Sequence, residues 1–172
     1  MKSDSELANR IRLILSDVDG VLTDGQIVFD GNGVETKAFH VRDGLGIKLW
    51  QRSGAAFGIV TARSSAIVRR RAEELGIELL RQGAENKWSA AESLMRAAGC
   101  TAEETCYIGD DLPDLAVMQR VAAAGLCCRC RDECSTRGHL DNTTAGGKGA
   151  VRELVERLLN AQDKWESLVN PR

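Results

Sequence analysis

No apolar run in this sequence approaches the roughly 20 residues that a membrane-spanning helix needs. The opening MKSDSELANR carries mixed charge without an apolar stretch, so neither a span nor a secretory leader is expected. No basic excess exists either: Lys plus Arg number 23 against 25 Asp plus Glu, a net charge of −2. Without such a field no nucleic-acid partner is expected, and an anionic ligand must be held by a few clustered cations. Histidine occurs only at His40 and His139, neither beside a nucleophile pattern, and His139 reads as structural. The cysteine-rich run CCRCRDEC, Cys127–Cys134, lacks the second, matching pair of a zinc site. It continues an apolar stretch, Leu126–Cys130, that reads as a strand, where cysteine serves as a small buried hydrophobe. Internal repeats and low-complexity linkers are absent. The 172 residues are expected to form one domain, about 1–160, in the cytoplasm, with 161–172 as a mobile tail.

What is present is a repeated pattern of short apolar strands that stop at polar residues. Ile11–Leu15 ends at Asp17 and Asp19, then Gly20. Phe57–Val60 ends at Thr61, and Thr105–Ile108 ends at Gly109-Asp110-Asp111. Between them lie helical patterns: Asp43–Ser53, Ala66–Leu75 capped by Ser64 or Ser65, Lys87–Ala98 capped by Asn86, Leu112–Val121 with Pro113 at its start, and Ala150–Asn160. Thr101–Glu104 fits a capping box. Ile77–Leu80 is a further strand, and another is expected near Leu140. Such alternation predicts an α/β fold, a doubly wound and mostly parallel sheet covered on both faces. The dense turn Asp30-Gly31-Asn32-Gly33 between two weakly alternating segments predicts a β-hairpin flap at about 25–40, hinged at Asp24-Gly25. The apolar residues of that flap, Ile27, Phe29 and Phe39, are expected either to be exposed and offer a contact for another subunit or to pack on their own core.

Parallel strands place their carboxyl ends on one edge, where ligands of open α/β sheets bind. Asp17, Asp19, Thr61, Lys87, Asp110 and Asp111 are therefore expected together. Converging carboxylates repel unless a hard cation joins them, and an all-oxygen ligand set favours Mg²⁺ over zinc. Thr61 and Lys87 suit a phosphate oxygen.

This ordered set, DVDGVLTD, the strand-end threonine, the lysine and GDDLPD, resembles the haloacid dehalogenase superfamily of phosphotransferases over about residues 10–120. The resemblance implies that Asp17 is the nucleophile and Asp19 the general acid and base. It implies Thr61 and Lys87 as holders of the phosphoryl group. Metal ligands would be Asp17, Asp110 and the main-chain carbonyl of Asp19, with Asp111 and Asp114 behind them. Only the hairpin separates the first strand from its helix, so the chain looks capless. Within the capless set it most resembles the 3-deoxy-D-manno-octulosonate 8-phosphate phosphatase family, through SDVDGVLTDG, KAFHVRDGLGIK, VTARSSAIVRRRAEELGI, QGAENK, YIGDDLPDLAVM and AGGKGAVRELVERLLNAQ.

That family is tetrameric and Mg²⁺-dependent, and serves lipopolysaccharide precursor synthesis. Its substrate contacts carry over to Asp19, His40, Val41, Arg42, Asp43, Gly44, Lys48, Arg63, Arg71 and Lys87. His40 stands where asparagine is expected and Lys48 where arginine is usual, a change that keeps charge but loses the bidentate fork. In the related nonulosonate (sialic-acid-type) 9-phosphate phosphatases a glutamate tends to replace Arg63. Those phosphatases remain the alternative, and a non-catalytic scaffold subunit of a sugar-nucleotide enzyme is a second.

Overall fold

The computed structural model describes residues 7–126 and 139–170. The cysteine run and the expected strand beyond Leu126 lie outside the described residues. The strands are β1 (Leu13–Ser16), β2 (Val28–Phe29), β3 (Glu35–Thr36), β4 (Ala56–Val60), β5 (Leu79–Arg81), β6 (Thr105–Gly109), β7 (Ala123–Leu126) and β8 (His139–Asp141). The helices are α1 (Val41–Arg52), α2 (Ala66–Leu75), α3 (Lys87–Ala98), α4 (Leu115–Met118), α5 (Ala150–Ala161) and α6 (Trp165–Val169).

Six strands pair in the order β5-β4-β1-β6-β7-β8, every pairing parallel. β2 and β3 form the separate antiparallel hairpin, shorter than its sequence pattern suggests. Successive strands run outward from β1 to β4 and β5, then return to its other side at β6. That reversal makes the end of β1 the switch point of the sheet. Period-two alternation sorts the strand residues between two cores. Ile14, Phe57, Ile59, Cys106 and Ile108 pack with α1, α2 and α5. Leu13, Leu15, Val60 and Tyr107 pack with α3 and α4. The sheet is covered on both faces, as expected, and only the hairpin intervenes between β1 and α1.

Several local expectations hold: Asn86 Oδ1 accepts the Ser89 amide at 3.0 Å, and Thr101 and Glu104 form their reciprocal capping box. Others are corrected. Ser65 precedes α2 but caps nothing with its side chain; its hydroxyl donates to Glu35 Oε2 at 3.0 Å. The helix after Asp111 is a 3₁₀ turn (Leu112–Asp114) followed by a single α-turn. α1 begins at Val41 rather than Asp43. Ile27 and Phe29 are exposed, yet Phe39 packs against the core.

The expected tail is also tied down where it is described. Gln162 donates to the carbonyls of Ala8 and Ile11, both at 2.9 Å. The Arg152 guanidinium lies 5.1 Å from the centre of the Trp165 ring, and Trp165 and Leu168 pack on the core. Among the described residues no helix is long and apolar enough to cross a membrane.

Candidate active site

Ser16 is in register with Ile59 on one side and Ile108 on the other, so Asp17, Thr61 and Asp110 follow three neighbouring strands onto one edge. Asp17 is 7% exposed. The Val18 amide donates to its Oδ1 and Lys87 Nζ to its Oδ2, each at 2.6 Å. Lys87 opens α3 and reaches back to the edge, donating also to Asp114 Oδ1 at 2.6 Å. Asp114 is fully buried. It accepts the Tyr107 hydroxyl, and its Oδ2 takes the amides of Asp110 and Asp111 at 3.1 and 3.2 Å. One ammonium thus bridges two buried carboxylates, and the second of these fixes the loop that carries Asp110.

The remaining negative charge is poorly compensated. Carboxylate oxygens of Asp17, Asp110 and Asp114 come within 4.8 Å of one another. Burial, reinforced by Asp114 and opposed by Lys87, pushes Asp17 up to about 6. Burial, then repulsion from Asp17 and Asp114, pushes Asp110 up to about 7. Lys87 moves upward: burial favours its neutral form, but Asp114 and Asp17 outweigh that and keep it charged. Among the described residues the buried Asp110 Oδ1 finds no hydrogen-bond partner. Asp114 accepts two hydrogen bonds on each oxygen, whereas Asp17 accepts one on each, so Asp17 and Asp110 are the carboxylates with capacity left to meet a cation. A hard, oxygen-preferring ion fits this donor set. Gly20 is required for it: with φ +94°, a Cβ there would lie 1.8 Å from Asp110 Oδ2. The loop Ala145–Gly149 closes on the other side of Gly20, where a Cβ on Gly146 would lie 1.7 Å from the Gly20 carbonyl oxygen.

These shifts predict a pH-dependent response to Mg²⁺. Raised carboxyl values mean that the folded chain holds more protons than the unfolded chain between about pH 4 and 7. Stability of the metal-free protein is therefore fully present below the unfolded value and is lost as pH rises through the folded values. A cation replaces those protons, so it should raise the melting temperature more at about pH 8 than at about pH 5.5. Thermal melts with and without Mg²⁺ check this; an equal or larger shift at the lower pH contradicts it.

A cleft of about 270 Å³ opens over the cluster, lined by Asp17, Asp19, Thr61, Arg63, Lys87 and Asp110 with Ala62, Asp111 and Pro113. Asp19 does not join the acidic cluster. Its Oδ1 accepts from Lys37 and its Oδ2 lies 3.6 Å from Arg63 Nε. Arg63 also donates to Glu35 Oε1 at 2.7 Å, and Lys37 lies 3.5 Å from that same oxygen. Glu35, Lys37 and Tyr107 are site residues that sequence reasoning missed. A cue was present for the first two, since residues two apart on a strand share a face.

The other substrate candidates lie elsewhere on the chain and do not line this cleft. Asp43 is 1% exposed, and its Oδ1 accepts the Arg152 amide at 2.9 Å. It caps α5 rather than facing the cleft. His40 Nδ1 and Asp43 Oδ2 are buried and find no hydrogen-bond partner among the described residues. Gly44 is packed so tightly that a Cβ would lie 2.5 Å from Arg71 Nη2. Arg71 itself stacks 5.7 Å from the Phe39 ring centre and pairs with Glu74 at 3.3 Å. Lys48 lines a groove with Glu73 and Glu74, while Val41 and Arg42 face outward. The side chain of His139 lies outside the described residues.

No protein-family model matches the chain. Relatives are nonetheless close. The 3-deoxy-D-manno-octulosonate 8-phosphate phosphatase of Haemophilus influenzae is 45% identical over 157 residues, 90% of this chain and 86% of that protein. Its counterpart in Escherichia coli K12 is 41% identical over 159 residues, 92% of this chain and 85% of that protein. Among solved structures, the Moraxella catarrhalis enzyme of the same name superposes with a TM-score of 0.92 at 40% identity, covering 96% of this chain and 95% of that one. It holds a magnesium ion, a phosphate ion and a KDO molecule. A cobalt-bound form of the Haemophilus influenzae enzyme superposes with a TM-score of 0.88 at 42% identity, covering 94% of each chain.

Proposed function

Because the chain belongs to the 3-deoxy-D-manno-octulosonate 8-phosphate phosphatase family, a capless branch of the haloacid dehalogenase superfamily, we propose that it hydrolyses that acid sugar phosphate through a covalent phosphoryl-Asp17. One carboxylate oxygen of Asp17 attacks phosphorus, the bond from phosphorus to the sugar oxygen breaks, and Asp19 gives its proton to the departing alkoxide. Water then attacks the same phosphorus while Asp19 takes a proton, and the Asp17–phosphorus bond breaks to release phosphate. Lys87, 2.6 Å from Asp17, and Thr61 hold the transferring group against its own charge. Asp17, Asp110 and the main-chain carbonyl of Asp19 would hold a Mg²⁺ ion, which supplies charge neutralisation for the carboxylates and the phosphoryl oxygens. Behind them, Asp114 positions Lys87 and the Asp110–Asp111 amides. The observation that carries this assignment is the Lys87-held Asp17 beside the partnerless oxygen of Asp110.

The substrate carboxylate needs its own cation, and Arg63 at the cleft supplies it. His40, Val41, Arg42, Asp43, Gly44, Lys48 and Arg71 serve substrate only if another copy's cleft meets them, in a homotetramer. The hairpin's exposed Ile27, Val28, Phe29 and Val34 support such a contact. The setting is cytoplasmic, in lipopolysaccharide precursor synthesis. Mg²⁺-dependent phosphate release from octulosonate 8-phosphate and nonulosonate 9-phosphate, measured side by side, tests the substrate. The octulosonate should be preferred by at least about tenfold in kcat/KM, about 1.4 kcal/mol in transition-state binding. The reverse preference would move the chain to the nonulosonate reaction.

A further inference from the structure

Lys37 takes no part in the two half-reactions, yet its side chain is only 1% exposed. A buried ammonium is retained only where it is paired, and its pairing is specific. It follows strand β3 of the hairpin and sits two residues from Glu35, on the same face. Glu35 is anchored across the cleft mouth by Arg63 Nη2 at 2.7 Å and Ser65 Oγ at 3.0 Å. The flap is thereby fixed to the ends of β4 and α2, and Lys37 is delivered to Asp19. There it donates to Oδ1, with Thr23 Oγ1 a further 3.5 Å contact on the same oxygen. Among the described residues Oδ2 has only Arg63 Nε at 3.6 Å, too far for a hydrogen bond. The two oxygens of Asp19 therefore differ: one is anchored by the flap and one is left to the cleft that Asp19 lines.

We propose that Lys37 is the positioning residue of Asp19, its ammonium holding Oδ1 so that Oδ2 stays over the cleft. This assignment rests on Asp19 carrying the proton in the proposed phosphoryl transfer. A carboxylate turns easily about its last torsion. Without Lys37 it can turn toward Arg63 or toward the Asp17–Asp110 pair, and misplacement by about 1 Å costs a catalytic group roughly a hundredfold.

Two phosphate esters separate this role from a structural one. A sugar alkoxide needs a proton to leave, whereas p-nitrophenolate leaves without one. Lys37→Met should lower kcat/KM by about 30- to 100-fold on octulosonate 8-phosphate, with KM little changed, and by less than about threefold on p-nitrophenyl phosphate. Asp19→Asn should show the same split in kcat/KM, which reports only phosphoryl transfer to Asp17, while its kcat falls on both esters because the second half-reaction loses its base. Lys37→Arg, which keeps the charge on a different head, should recover to within about tenfold, its remaining loss again confined to the sugar ester. A near-normal kcat/KM on the aryl ester shows that the Lys37 variants are folded. Equal losses on both esters, or no loss on either while Asp19→Asn shows the split, overturns the proposal. A wild type that hydrolyses neither ester overturns the phosphatase assignment beneath it.

Discussion

Asp17→Asn should give a folded protein that releases no measurable phosphate. Asparagine has nearly the shape of aspartate and can still accept the Val18 amide, which holds Oδ1 at 2.6 Å. It cannot attack phosphorus, and removal of a covalent nucleophile costs on the order of 10⁴-fold or more in kcat. The effect on stability has the opposite sign from most buried changes. Asp17 is ionised at neutral pH against burial and against Asp114, which raise it to about 6. Asparagine removes that repulsion while Lys87 keeps Asp114 at 2.6 Å. The metal-free variant should therefore melt no lower than the metal-free wild type above about pH 7, and Mg²⁺ should raise its melting temperature less. Retained phosphatase activity would remove Asp17 from the role of nucleophile.

Lys87→Met should damage fold and function together. Lys87 is 5% exposed and its ammonium is shared by Asp17 and Asp114; Asp114 also accepts from Tyr107. Methionine fills much of the space but leaves two buried carboxylates facing each other. Breaking a buried pair from one side costs about 3–5 kcal/mol, which for a chain of this size is a fall of roughly 10 °C in melting temperature. The penalty should shrink as pH falls and the carboxyls take up protons, because only their charged forms lack a partner. Turnover should drop by about 10²- to 10³-fold, as for other lost donors to a transferring group. Calorimetry at about pH 8 and about pH 5.5, with kcat at the higher value, checks both. A melting point within about 2 °C of wild type at the higher pH would mean that the pair contributes little.

The gathering of strand-end residues was legible because it depends on local pattern. Short β-branched runs ending in Asp17, Thr61 and Gly109-Asp110 need only the parallel rule to bring them to one edge. Asn86 and the Thr101–Glu104 box were legible for the same reason, since each cap bonds to residues three positions away. Contacts between distant segments were less so. The role of Asp114 as the hub for Lys87, Tyr107 and two amides depends on a 3₁₀ turn folding back under β6. Asp43 sits in a motif stretch but spends its carboxylate on the Arg152 amide of α5, more than a hundred positions along the chain. The tail looked polar and loose because Arg152, the residue that stacks on Trp165, lies on a different helix. Glu35 and Lys37 looked like ordinary surface charges on a flap, and only the approach of Asp19, Arg63 and Ser65 gives them partners.

The central claim is that the phosphoryl group passes through Asp17. Mixing the Mg²⁺-loaded enzyme with octulosonate 8-phosphate, quenching within one turnover and reducing with borohydride converts an acyl phosphate to an alcohol. Peptide mass spectrometry should then find homoserine at position 17, only when substrate is present and not in Asp17→Asn. Normal turnover with no reduction at Asp17, or with reduction at another carboxylate, would contradict the account.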